Sequence, residues 1–278
     1  MENGRLKALL KLLTTETDTY GVVLRREIAA ALKEDPSSVK IALEEEFPNE
    51  PPLPVLHTLE EIYWEELTHA LARFSAKINP DLEEGLLLLS KFTHPTTARS
   101  EVSALLDDMA RTLRPALLNA TNYTEIAQHM GHYFFDTLGI QPLQANTDLQ
   151  DVSFSRFLYK HRGSSLCVAC LYAVIGGRYG LDINLIDLAG RILIHLQDAT
   201  QDQSFFIDPL DNGKILTQED CRQYLASRQL AWNEEFITPL SSRQVVRRLI
   251  ANMIYVLNKV HDERRLTHLR NYLEIVKN

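Results

Sequence analysis

Along the first 140 residues, apolar positions recur at helical spacing, and no run alternates with the period of two that a half-buried strand requires. Leu9, Leu10 and Leu13 mark one face of an opening helix. Residues 15–18 supply turn and capping chemistry, and residues 22–33 read as a second helix. Asp35-Pro36-Ser37-Ser38 breaks the pattern before a third helix over 39–47. This opening looks like a helical-repeat fragment, although one copy does not establish a repeat. The run PNEPPLP at 48–54 is the strongest linker candidate. Further helices are predicted over 57–77, 81–92 and 98–118, the second with Asp81, Glu83 and Glu84 where they suit a helix dipole. One more covers 124–138 and stops at Gly139.

The pattern then changes. Gly163-Ser164-Ser165 precedes LCVACLYAVIGG, a segment apolar on every side, which belongs in the middle of a core. Ser164 or Ser165 should cap it. Leu166, Ala169, Cys170, Ala173 and Val174 should touch both a sheet and the preceding helices. Three strand-like runs follow at 183–188, 191–196 and 204–208, with connections short enough to make them antiparallel neighbours. Asp208-Pro209-Leu210-Asp211-Asn212-Gly213 is a turn, Thr217 opens another helix, and helices over 242–259 and 262–277 close the chain. The expected fold class is α+β and predominantly α-helical, organised as a helical region over 1–55, a domain over 56–228 and a helical pair over 229–278.

Composition narrows the functional classes. Hydrophobic residues at 45% and charged residues at 24% are ordinary globular usage, and a net charge of −8 disfavours a nucleic-acid partner. The C-terminal helices carry Arg243, Arg247, Arg248, Arg264, Arg265 and Arg270, but Asp262, Glu263 and Glu274 interrupt them, so a solvated face is expected there. Cys167, Cys170 and Cys221 are too few for a disulfide framework, which suggests a reducing compartment. The N-terminal apolar run is broken by Lys7 and Lys11 and reads as a helix rather than a signal peptide. No stretch approaches the ~20 apolar residues of a membrane span. A soluble cytoplasmic protein with no membrane segment is expected.

Three segments, DLEEGLLLLSKF at 81–92, YKHRGSSLCVACLYAVIGGRYGL at 159–181 and FFIDPLDNGKILTQEDCRQYL at 205–225, resemble in order and spacing the bacterial transglutaminase-like family that includes the SirB proteins. That resemblance implies a helical N-terminal part, a reduced transglutaminase-like (papain-like) core with a small antiparallel sheet, and a helical tail. Active relatives of this kind use a Cys at the start of the central helix, a His from a following strand and an Asp that orients the His. Residue by residue, the resemblance places these roles on Ser165, Arg191 and Asp208. Arginine stays protonated at physiological pH and cannot act as a base, and a serine without a base is a poor nucleophile. The triad is therefore degenerate.

Replacement residues have competing structural readings. Cys167 lies in the same first turn but about 200° around the axis from Ser165 at 3.6 residues per turn, and core packing explains it as well. Cys167-Val168-Ala169-Cys170 has redox or metal-site spacing without the usual context. His195 shares a strand face with Arg191 but lies roughly 13 Å along it, so a half-exposed strand histidine is the plainer reading. His129 and His132 could share a metal on one helix face, yet no carboxylate follows at ligand spacing. No cofactor and no metal are expected. The leading reading is a non-catalytic protein that binds a protein or peptide partner. The alternative is a cysteine or serine hydrolase or acyl transferase using Ser165 or Cys167 with Asp208. Arg191 and Asp208 should meet on adjacent strands as a bidentate ion pair at about 2.7–2.9 Å.

Overall fold

Local capping explains where many of the helices begin. In the computed structural model, which describes residues 2–14, 21–198 and 203–277, the chain opens with α1 (Glu2–Leu12), α2 (Gly21–Glu34) and α3 (Pro36–Glu46). The turn expected at residues 15–18 lies outside the described residues. The Asp35 carboxylate accepts the N–H groups of Ser37 and Ser38 while Pro36 opens α3, so one tetrapeptide separates two helices. α4 (Leu53–Ala76) begins within the PNEPPLP run rather than after it, because Pro54 fills an early helical position that needs no N–H.

α5 (Leu82–Thr93) is capped by Asp81, which accepts from Glu84 N at 2.7 Å. α6 (Arg99–Asn119) and α7 (Tyr123–Gly131) follow, and α7 continues as a π-helical turn, His132–Thr137, up to Gly139. Among the described residues no strand precedes Gln141. The stretch from there to the central helix carries elements the periodicity does not reveal. These are β1 (Gln141–Leu143), a short 3-10 turn, α8 (Phe154–Lys160) and β2 (Arg162–Ser164). β1 and β2 pair in parallel with Leu143 opposite Ser164, which fixes the entry to α9 (Ser165–Gly177). Three-residue strands are too short for alternation to register.

α9 is buried at every residue except Ser165, Ala173 and Gly177. Ser164 caps it, its Oγ accepting the Cys167 N–H at 3.3 Å. The helix packs against α5 and α6 and against β3 (Ile183–Leu188) and β4 (Arg191–Asp198). Ala173, expected among the contact residues, packs on the core but is half-buried.

With β5 (Gln203–Asp208) and β6 (Lys214–Leu216), the strands form an antiparallel sheet in sequential order. β6 is a fourth strand beyond the three predicted. Ile194 pairs with Ile207, and both face the α9 core. Ile186 and Leu193 point the other way, where they meet Phe206 together with Cys221 and Leu225 of α10 (Gln218–Ser227). The fold is thus predominantly α-helical with a small antiparallel sheet.

α11 (Ser242–Val260) and α12 (Glu263–Ile275) complete the main core. A separate cluster joins α1, α2 and α3 to Val55, Leu59 and Ile62 of α4, whose later residues Trp64, Leu67 and Phe74 enter the main core. α4 therefore runs unbroken through both, with residue 55 inside its first turn. Arg270 is exposed, as expected, and pairs with Glu263, but the other C-terminal arginines do not form a solvated face. Arg243 donates to the carbonyls of Ser75, Lys77 and Ile78 at and just past the end of α4, and Arg247 to those of Leu273 and Val276 at the end of α12. Arg264 binds Glu60, Glu61 and the His57 carbonyl. Helix C-termini leave carbonyls unsatisfied and carry partial negative charge, so the guanidinium groups of Arg243 and Arg247 settle there. Among the described residues no helix is long and apolar enough to cross a membrane.

Candidate functional site

The hairpin between β3 and β4 turns on Ala189 and Gly190, at φ 49° and 96°. Two consecutive residues of positive φ are what a two-residue turn needs to match the twist of its strands. The Asp187 carboxylate accepts the Gly190 N–H at 2.7 Å. Arg248 of α11 pairs with the same carboxylate and donates to the Gly190 carbonyl at 3.0 Å, so the turn is pinned to the helical layer. The next residue is Arg191.

Arg191 donates to Oδ2 of Asp208, whose side chain has no exposed surface. The β4–β5 register places Ile194 against Ile207, so Arg191 and Asp208 are diagonal neighbours on one sheet face. The pair forms as expected, but it is not the bidentate fork. Oδ1 of Asp208 is taken by the Leu210 N–H at 2.9 Å, and the guanidinium lies over the Tyr224 ring at 5.1 Å. Nε of Arg191 is buried without a hydrogen-bond partner.

A cavity of about 460 Å³ opens where the start of α9, the hairpin turn, the end of α10 and the middle of α11 converge. Ser164 lines it from the end of β2, Ser165 and Leu166 from α9, Arg191 and Ile192 from β4, and Arg248 and Asn252 from α11. Tyr224 and Arg228 close it from the α10 side, with Gln144 and Asn146 beyond β1. Ser165 and Arg191 thus share one cavity, while Asp208 stands behind Arg191 and does not line it. Among the described residues, no Asp, Glu, His or Cys side chain lines it.

The other singled-out residues lie elsewhere. Cys167 is fully buried, and burial pushes its thiol up to about 12 against the opposing bond from Ser164. Cys170 is equally buried and pushed well above the ordinary thiol range by the same cause. Neither thiolate is accessible near neutrality. His195 is buried rather than half-exposed, stacked on Phe206 at 4.9 Å, with burial holding its imidazole below the usual range. Phe206 pairs directly with it across β4 and β5, an aromatic partner the strand alternation alone does not disclose. His132 pairs with Asp136 at 2.9 Å on the surface. No three His, Cys, Asp or Glu side chains among the described residues group as a metal site.

Sequence reasoning missed Tyr224, Arg228, Asn252, Gln144 and Asn146 as site residues, and it counted Arg248 only within a basic bias. Nothing local marks them, because they come from separate elements that only packing brings together. Residues 100–251 match the family model of the transglutaminase-like superfamily, a span that holds the sheet, α9 and every cavity residue named above except Asn252. No curated protein and no solved structure matches the chain.

Proposed function

The chain belongs to the transglutaminase-like superfamily, and from that premise we propose that it is a non-catalytic member which acts by binding a protein or peptide partner. Within the superfamily, the order and spacing of the 81–92, 159–181 and 205–225 segments support a place beside the SirB-type proteins. Three free, buried thiols are compatible with a reducing, cytoplasmic setting.

The observation that carries the reading is the Arg191–Asp208 pair, whose guanidinium lines the same cavity as Ser165. A hydrolase or acyl transferase needs a proton acceptor within hydrogen-bond reach of its nucleophile. In this cavity the group next to Asp208 is a guanidinium, which cannot accept a proton, and the carboxylate behind it is occupied. Cys167 supplies no substitute, since its side chain is sealed in the core. What remains is a polar, open cavity without machinery for bond cleavage.

Fluorophosphonate and chloroacetamide probes test this on the intact protein. No labelling is expected, whereas labelling of Ser165 or Cys167 that heat denaturation abolishes would favour the hydrolase or transferase. The assignment of positions has its own test in iodoacetamide labelling against pH. Ser165→Cys with Arg191→His together should give a thiol reactive near neutrality, and either change alone should not. A double variant no more reactive than an ordinary thiol of pKa about 8.5 would overturn the assignment.

A further inference from the structure

We infer that the cavity at the N-terminal end of α9 is an anion site that receives a carboxylate of a peptide partner. The inference rests on the binding reading above and names the ligand chemistry of the same site. Its first support is the charge of the walls. Arg191, Arg228 and Arg248 all line the cavity, and among the described residues no acidic side chain does. In an acidic chain of net charge −8, three guanidinium groups converging on one cavity run against the composition.

The charge balance narrows the ligand. Arg191 and Arg248 are matched by Asp208 and Asp187, which sit behind them. Arg228 is exposed, has no carboxylate partner among the described residues, and lies over the Tyr224 ring at 4.9 Å. Tyr224 thus holds two guanidinium groups at the cavity wall. α9 adds the positive end of a 13-residue helix, equivalent to roughly half a charge. The unmatched charge is close to that of one carboxylate, short of a phosphate dianion or a polyanion. Other polar walls are the hydroxyls of Ser164 and Ser165 and the amides of Gln144, Asn146 and Asn252, which can both donate to and accept from peptide groups. A volume of about 460 Å³ lies within the usual range for small-ligand pockets.

The test is saturation-transfer NMR titration of the full chain with an N-acetylated alanine-glycine hexapeptide in three forms. One has a free C-terminal carboxylate, one is amidated and neutral, and one is amidated with a single central Glu. Inorganic phosphate is a fourth probe. Binding of the first or third form at least ten-fold more tightly than the neutral form is expected, and which of them binds tells a terminal carboxylate from a side-chain one. Arg228→Gln, at an exposed position, should keep the melting temperature and weaken that binding about ten-fold. Asn252→Asp should weaken it as well by adding a like charge. Equal affinity for the neutral form, no binding of any form, binding of phosphate alone, or an unchanged Arg228→Gln would each overturn the inference. Probe labelling of Ser165 would instead overturn the non-catalytic reading and leave the carboxylate result standing. Absence of labelling with no preference among the peptides would remove only the anion site.

Discussion

Asp208 is a carboxylate with no exposed surface, held by one guanidinium and one backbone N–H. Removing a single partner from such a pair leaves a buried charge uncompensated and costs about 3 kcal/mol or more. Arg191→Met should therefore lower the urea midpoint strongly, and adding Asp208→Asn should recover part of the loss because no charge is then stranded. If the double variant is no more stable than the single one, the two residues are not coupled. His94 makes a different residue-level prediction. Burial, with the positive Arg156 nearby, pushes its imidazole down to about 4, and Nδ1 bonds Thr93 at 2.9 Å. An unfolded histidine titrates near 6.5, so below that pH the unfolded chain takes up a proton that the folded chain refuses. Stability should be full above about pH 6.5 and fall as pH drops toward 4. His195 and His268 are shifted in the same direction and add to the slope. Asp35, Glu45, Glu125 and Asp220 are lowered carboxylates whose contributions are lost only at more acidic pH, so the upper part of the window reports histidines. Melting temperatures across this range should fall less steeply for His94→Gln; an unchanged slope would count against the assignment.

At the scale of the element, α9 shows how an apolar pattern becomes a placement. A helix with no polar face has no orientation in which it can meet water, so it is driven between layers. Here those layers are α5 and α6 on one side and β3 and β4 on the other. Ala169 is fully buried, whereas Ala173 is half-buried and a long side chain there could reach the surface. Ala169→Glu should prevent folding, because an unpaired buried carboxylate costs several kcal/mol. Ala173→Glu should cost less. Circular dichroism and thermal melts of the two variants would show whether this ranking holds. The hairpin at Ala189-Gly190 is a second instance. Its left-handed turn presents Arg191 to the cavity, and Arg248 of α11 fastens it from another layer.

In the whole molecule, two apolar clusters share one helix. The first holds Ile28, Leu32 and Val39 with the early residues of α4, and the second holds α9, the sheet and the C-terminal helices. Since the two meet chiefly through α4, damage to the first should stay local. Ile28→Asp places a charge at a site with no exposed surface. Hydrogen exchange should then show rapid exchange in α2 and α3 while the amides of α9 stay protected. Loss of protection in α9 would mean that the clusters unfold as one. The C-terminal arginines act at this scale too, since Arg243 and Arg264 tie α11 and α12 to α4 across more than 160 residues of sequence.

Several features were legible in the order of residues alone. Asp35, Asp81 and Thr217 announce helix starts because a cap is a contact between positions two or three apart. The burial of α9 and the three long strands follow from periodicity, which is equally local. β1, β2 and β6 escaped because three residues carry too little pattern. The single bond that the expected Arg191–Asp208 pair makes in place of a bidentate fork, the burial of His195 against Phe206 and the gathering of Arg191, Arg228 and Arg248 around one cavity belong to tertiary structure. Each depends on strand register and on the angles at which α9, α10 and α11 pack, and those are set by the summed contacts of distant side chains.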